Sequence, residues 1–286
     1  MLQFIRRLFL SLKCRCVTVK IRIRWAYDLW KTKKVNVDIV QTLPETKFLL
    51  LIPHADDEWM TNSMLVRYAK DVLLVNMDMQ GSDTKEMHER RRAELMSLAS
   101  KCNRKVALIV KDKAETLKKI ILNNIGSTIV VPFFVDWHTD HIEVINILRD
   151  SLTGIPRHDY YKIMMYPVSC PLPVKYATHV IPMSKKQWVE KWNWFITYYR
   201  SQTIIPYKRF SYVDRIVGKS VGTFASELYW SCSIPEWLHL SDLLFMDDIQ
   251  RTKLRKSINS INECSIMVKE ILNIYKVNYN EQKPNE

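Results

Sequence analysis

The sequence predicts an α/β fold: a Rossmann-like, doubly wound, mostly parallel sheet with helices on both faces, followed by a helical C-terminal tail. Three observations carry that expectation. From residue 47 onward, short apolar runs alternate with longer stretches of helical periodicity, the pattern of a parallel sheet covered on both sides. The apolar runs are continuous, as strands buried on both faces are. Two of them, Phe48-Leu49-Leu50-Leu51-Ile52 and Val130-Val131-Pro132-Phe133-Phe134-Val135, run straight into segments dense in histidine and aspartate.

The elements follow in chain order. Leu2, Ile5, Leu8, Phe9 and Leu12 fall at helical spacing, with Gln3, Arg6, Arg7 and Ser11 between them, which predicts a short amphipathic helix. Its apolar run is far too short to span a bilayer, and it lacks the small-residue cleavage site of a signal peptide. From Val17 to Trp25, Val17, Val19, Ile21, Ile23 and Trp25 alternate with Thr18, Lys20, Arg22 and Arg24. Period two predicts a strand with one basic face. Such a strand would either lie on an anionic membrane or pack as a solvated edge on the parent domain. Strands are then expected near 47–52, 72–78, 104–110, 127–135 and 161–166, and helices near 57–70, 84–101, 113–124, 140–153 and 184–200. In the tail, Leu254, Ile258, Ile261, Ser265, Val268, Leu272 and Tyr275 form a heptad-like seam, too short for a coiled coil and suited to packing on the body.

Composition narrows the function. Of the net charge of +13, residues 1–34 carry +9, from ten basic residues against Asp28 alone. The basicity therefore belongs to an arm. No nucleic-acid partner is expected, because no recognition motif accompanies the charge and it marks no domain face. Only five glycines occur, in neither of the two common phosphate-cradling patterns. The six cysteines, Cys14 and Cys16 included, form no C-x-x-C pair and read as reduced thiols of a cytoplasmic protein.

The chemistry lies where the two apolar runs end. Pro53-His54-Ala55-Asp56-Asp57-Glu58 follows the first, and Asp136-Trp137-His138-Thr139-Asp140-His141 follows the second. Carboxylates at a buried strand end are costly unless paired, hydrogen-bonded or bound to a cation. In a 3-2-1-4-5 sheet the first and fourth strands are neighbours where the order reverses, and sites form outside the carboxyl ends of such strands. Two His/Asp segments meeting there can furnish a three-ligand metal site with an open position. Imidazoles and a carboxylate suit zinc at least as well as other divalent ions. One carboxylate must stay free to take a proton from water, and Asp56 and Asp57 can divide these roles.

H-A-D-D-E followed about eighty residues later by H-T-D-H resembles the zinc-dependent N-acetylglucosaminyl deacetylases of the LmbE/PIG-L family. Arg91-Arg92-Ala93-Glu94 resembles the family's R-x-x-E segment, and Ser201-Gln202 and Phe224-Ala225-Ser226-Glu227 match later landmarks. The resemblance covers roughly residues 47–230. It implies zinc as cofactor, with His54, Asp57 and His141 as ligands and Asp56 as general base. His138 would stabilise the oxyanion or protonate the leaving amine, Asp140 would orient a histidine, and Arg91 would contact substrate. Trp59 and Trp137 flank the motifs, either as aromatic faces for a sugar ring or as core.

The chain departs from the family at Ala55 and Thr139, where proline is usual. It departs again at Trp59-Met60-Thr61-Asn62-Ser63, which replaces a glycine-bearing stretch, and at Met77-Asp78-Met79-Gln80-Gly81 after the second strand.

The implied organisation is a basic amphipathic arm (1–34), a deacetylase-like domain (35–235) and a helical extension (236–286). The implied reaction removes the N-acetyl group from an N-acetylated sugar in cell-surface glycan or glycolipid assembly. It would take place in the cytoplasm or at the inner face of an anionic membrane reached by the arm. The alternative is a non-catalytic carbohydrate-binding or scaffolding protein that retains the fold. Intact Asp56 and His138 argue against it, since binding alone needs no spare base.

Overall fold

The computed structural model describes residues 18–274 apart from 38, 82, 203–206 and 245. Its seven-stranded sheet has the order β3-β2-β1-β4-β5-β7-β6, with β1 Lys47–Ile52, β2 Asp71–Asn76, β3 Lys105–Leu108, β4 Thr128–Pro132, β5 Lys162–Tyr166, β6 His179–Met183 and β7 Ala225–Ser233. The first five strands are parallel and take the 3-2-1-4-5 order in which the first and fourth are neighbours. The last two form an antiparallel edge that the sequence reading did not include.

Each inner strand is apolar throughout because both its faces are covered. In β1, Phe48, Leu50 and Ile52 point to one face, where Trp59, Leu65, Leu95, Leu98 and Phe195 pack. Leu49 and Leu51 point to the other, against Leu117, Ile121, Val144, Leu148 and Trp237.

The helices are α1 over residues 18–31, α2 Asp57–Met60, α3 Ser63–Tyr68, α4 Lys85–Lys101, α5 Lys113–Leu122, α6 Thr139–Leu152, α7 Lys185–Tyr198, α8 Tyr207–Val221, α9 Ile234–Leu243, α10 Asp248–Ser257 and α11 Ile261–Ile274. None among the described residues is long and apolar enough to cross a membrane.

Three expectations need correcting. Residues 18–25 are helical and not a strand. The buried positions of α1 are Trp25 and Asp28, one helical turn apart, and Val19 and Ile23 face solvent. Partners decided the matter: Trp25 meets Tyr212 of α8, and the Asp28 carboxylate accepts hydrogen bonds from Ile261 N at 3.0 Å and Ser260 Oγ at 3.3 Å, capping α11. The single helix expected over 57–70 is two, because Glu227 of β7 accepts from Ser63 N, Ser63 Oγ and Met64 N at 2.7–3.0 Å and so starts a new helix there. The tail seam is likewise broken at residues 258–260, between α10 and α11. Leu254, Val268 and Leu272 are nevertheless buried in the same core as the sheet. The helix expected over residues 2–12, Cys14, Cys16 and Tyr275 fall outside the described residues.

One close approach sets how α8 sits. A Cβ at Gly218 would lie 2.4 Å from Ala225 Cα and 2.5 Å from Ala225 N, so α8 and β7 touch backbone to backbone.

Candidate active site

β1 and β4 are hydrogen-bonded neighbours, so the chain leaves the sheet twice at the same edge. The first exit turns through Asp56 into α2, and the second runs through Asp136 into α6. Asp56 takes φ 147°, a region that side chains rarely adopt, and is held there on three sides. Its N–H donates to Glu58 Oε2 at 3.0 Å, and its carbonyl accepts from Trp59 N and Met60 N at 3.0 and 2.9 Å. The buried Glu58 carboxylate in turn accepts from Tyr199 OH, and burial pushes Glu58 up to about 7. Such strain persists only where the surroundings over-determine it.

Three ring and carboxylate atoms converge. His54 Nδ1 lies 3.4 Å from Asp57 Oδ2, and His141 Nε2 lies 3.7 Å from the same oxygen. The far side of each ring is engaged: His54 Nε2 lies 2.7 Å from Asp140 Oδ2, and His141 Nδ1 lies 2.9 Å from Asp136 Oδ2. Asp136 also accepts from His138 N at 2.8 Å and Ser169 N at 2.9 Å. His138 caps α6, its Nδ1 accepting from Asp140 N at 3.3 Å. Nitrogens of His54, His138 and His141 all fall within 4.8 Å of one another.

The electrostatics follow from burial and these pairings. Burial works against charge on His54, but Asp140 and Asp57 outweigh it and raise the ring to about 10. Asp57 and Asp136 resist the same burial because His141 lies against both, and each is held below its ordinary value. At Asp56, burial and the adjacent Asp57 outweigh the opposing charges of His54 and Arg91 and push it well up. Burial and the neighbouring His141 and His54 lower His138 to about 4.

The residues present fit a divalent cation. Ligand atoms about 2.1 Å from a tetrahedral ion lie about 3.4 Å apart, close to the spacings about Asp57 Oδ2. Both histidines that face that oxygen have their other nitrogen on a carboxylate, as metal-ligating histidines do. The three-histidine grouping is a second possible donor set, but among the described residues no carboxylate is hydrogen-bonded to the His138 ring.

A cavity of about 350 Å³ opens on this cluster, lined by His54, Asp56, Asp57, His138 and His141 and further out by Arg91, Trp137 and Arg209. The register of the arginines is plain here. Arg91 faces the cavity and pairs with Asp83 at 2.8 Å, while Arg90 approaches Glu94 at 3.6 Å and Arg92 pairs with Asp78. Asp140 stands behind His54. Trp59 is a correction: it is fully buried, donates Nε1–H to Lys191 O at 2.7 Å and stacks on Trp194, so it offers no face to a ligand. Trp137 lines the cavity.

Sequence reasoning assigned no role to Glu58, Asp136 or Gly81. Gly81 has φ 56°, and a Cβ there would lie 3.0 Å from Asp140 Oδ2; the only signal for it was a lone glycine in a glycine-poor chain.

Neither protein-family models nor curated proteins match the chain. Among solved structures it resembles the N,N'-diacetylchitobiose deacetylase of Pyrococcus horikoshii, at 17% identity and TM-score 0.53, over 66% of this chain and 84% of that one. A conserved protein of Thermus thermophilus is similar at 18% identity and TM-score 0.52, over 66% of this chain and 98% of the other. The likeness is one of fold. It agrees with the α/β sheet described above and leaves the chemistry to be argued from the site.

Proposed function

We propose that the chain is a metal-dependent amidohydrolase of the LmbE/PIG-L type, removing the acetyl group from an N-acetylated sugar in glycan or glycolipid assembly. The observation that carries this reading is the convergence of His54 Nδ1 and His141 Nε2 on one Asp57 oxygen, beside a second buried carboxyl, Asp56. The fold it shares with a chitobiose deacetylase and the resemblance of its motifs to that family support it.

In this reading His54, Asp57 and His141 hold a zinc ion, which when bound supplies Lewis acidity and a water of lowered pKa. Asp140 and Asp136 fix the two imidazoles. Asp56 takes the proton of the attacking water, a role suited to a carboxyl whose environment resists charge. With Nδ1 accepting from Asp140 N, the neutral His138 ring carries its proton on Nε2. It can give that hydrogen bond to the developing oxyanion, while the proton taken up by Asp56 passes to the leaving amine. Water adds to the acetyl carbon, the C–N bond breaks, and acetate and a free amine leave. Arg91 and Trp137 line the path to this centre and would meet the sugar.

The test is acetate release from N-acetylhexosamine glycosides, with bound metal measured in parallel. Asp56→Asn should lose on the order of 10²–10⁴-fold in rate with metal retained, and Asp57→Asn should lose the metal. Metal bound with no acetate released from any glycoside would instead favour a carbohydrate-binding protein.

A further inference from the structure

α1 has two faces. The inner one docks through Trp25 and Asp28, and Lys219 Nζ closes the helix by donating to Leu29 O and Trp30 O at 3.0 and 2.7 Å. On the outer face, Val19, Ile23, Tyr27 and Trp30 are 54%, 64%, 51% and 73% exposed. At helical spacing these four and Ala26 make a continuous apolar stripe about 100° wide. Lys20 and Lys31 border it on one side and Arg22 on the other, all exposed, and the Tyr27 and Trp30 rings lie 5.8 Å apart with Lys31 over Tyr27. A helix already packed on one side gains nothing for the fold by exposing this second stripe.

The surroundings are basic as well. A cleft of about 520 Å³ beside α1 is lined by the exposed lysines Lys31, Lys33, Lys175 and Lys269 over an apolar floor that includes Leu172, Val213 and Ile261. An apolar stripe with aromatic rings, flanked by lysine and arginine, is the composition of a helix that lies in the headgroup region of a bilayer. We infer that the outer face of α1 is a docking surface for an anionic lipid membrane. Val19, Ile23 and Trp30 enter the interface, and Lys20, Arg22 and Lys31 meet the headgroups. The excess positive charge of residues 1–34 selects an anionic bilayer over a second protein copy, which would bring the same charge against itself. This inference does not depend on the reaction proposed above.

The experiment is co-sedimentation of the full chain with phosphatidylcholine vesicles, with and without phosphatidylglycerol, together with its mass in solution. The chain should sediment with the anionic vesicles, release as salt is raised, and show a blue shift of tryptophan emission that Trp30→Phe removes. Val19→Ser/Ile23→Ser/Trp30→Ser should abolish sedimentation with circular dichroism and turnover of a soluble substrate unchanged. Lys20→Gln/Lys31→Gln should weaken it roughly thirtyfold. Ile125→Ser, an equally exposed residue outside this face (69%), should change nothing. No sedimentation of the parent chain, or sedimentation undiminished in the triple variant, overturns the inference. So does a parent dimer that the triple variant converts to monomer.

Discussion

Behind the candidate site, Lys191 lies fully buried between two carboxylates, Asp214 at 3.0 Å and Glu227 at 2.9 Å. One cation cannot compensate two buried anions. Burial, with Glu227 repelling and Lys191 opposing, raises Asp214 to about 7. The folded chain therefore keeps this proton up to about pH 7, while an unfolded aspartate releases it near its ordinary value of about 3.9. The stability it contributes is complete below that value and is lost as pH rises through 7. Melting temperature should accordingly fall between pH 5 and pH 8, and the fall should shrink in Asp214→Asn; an equal fall in both proteins would rule this out. This network shows what residue types alone withhold. Asp56, Asp57, Glu58 and Asp136 are four acids of one chemical kind, and only their neighbours separate the proposed base, the proposed ligand and two supports. His54, Asp57, His138 and His141 were legible because they recur at fixed spacing after apolar strands. Trp59 stayed open between a ligand face and core because the partner that decides it, Trp194, is distant in sequence.

At the scale of elements, α1 shows how a pattern can support two structures. Val17 to Trp25 alternates as a strand does, yet Trp25 and Asp28 recur at helical spacing and found partners on α8 and α11. Periodicity is a weak vote when tertiary contacts are at stake. The Asp28 cap of α11 makes the point measurable. Asp28→Ala should destabilise by about 0.5–2 kcal/mol and speed amide exchange in α1 and the first turn of α11. Exchange unchanged in both helices would show that the cap does not couple them. The parallel strands were read correctly because each is buried on both faces and so is apolar throughout. β6 and β7 were missed: His179, Pro182, Ser226, Glu227, Ser231 and Ser233 dilute their apolar signal.

Over the whole molecule, the rhythm of strands and helices pointed to a doubly wound sheet, and the 3-2-1-4-5 order of its first five strands brings segments about eighty residues apart to one end of the sheet. What rhythm could not convey is how firmly the far wall of the cavity is mounted. Arg209 and Phe210 stand on α8, and α8 meets β7 at Gly218 with no side chain between. Gly218→Ala should cost stability at the upper end of the ~1–3 kcal/mol typical of overpacking and raise KM more than it lowers kcat, as the wall carrying Arg209 is displaced. Full stability in that variant would mean the helix yields freely. A helix seated backbone to backbone on its sheet ties the far wall of the cavity to that contact, so the bore on this side is set as the chain folds.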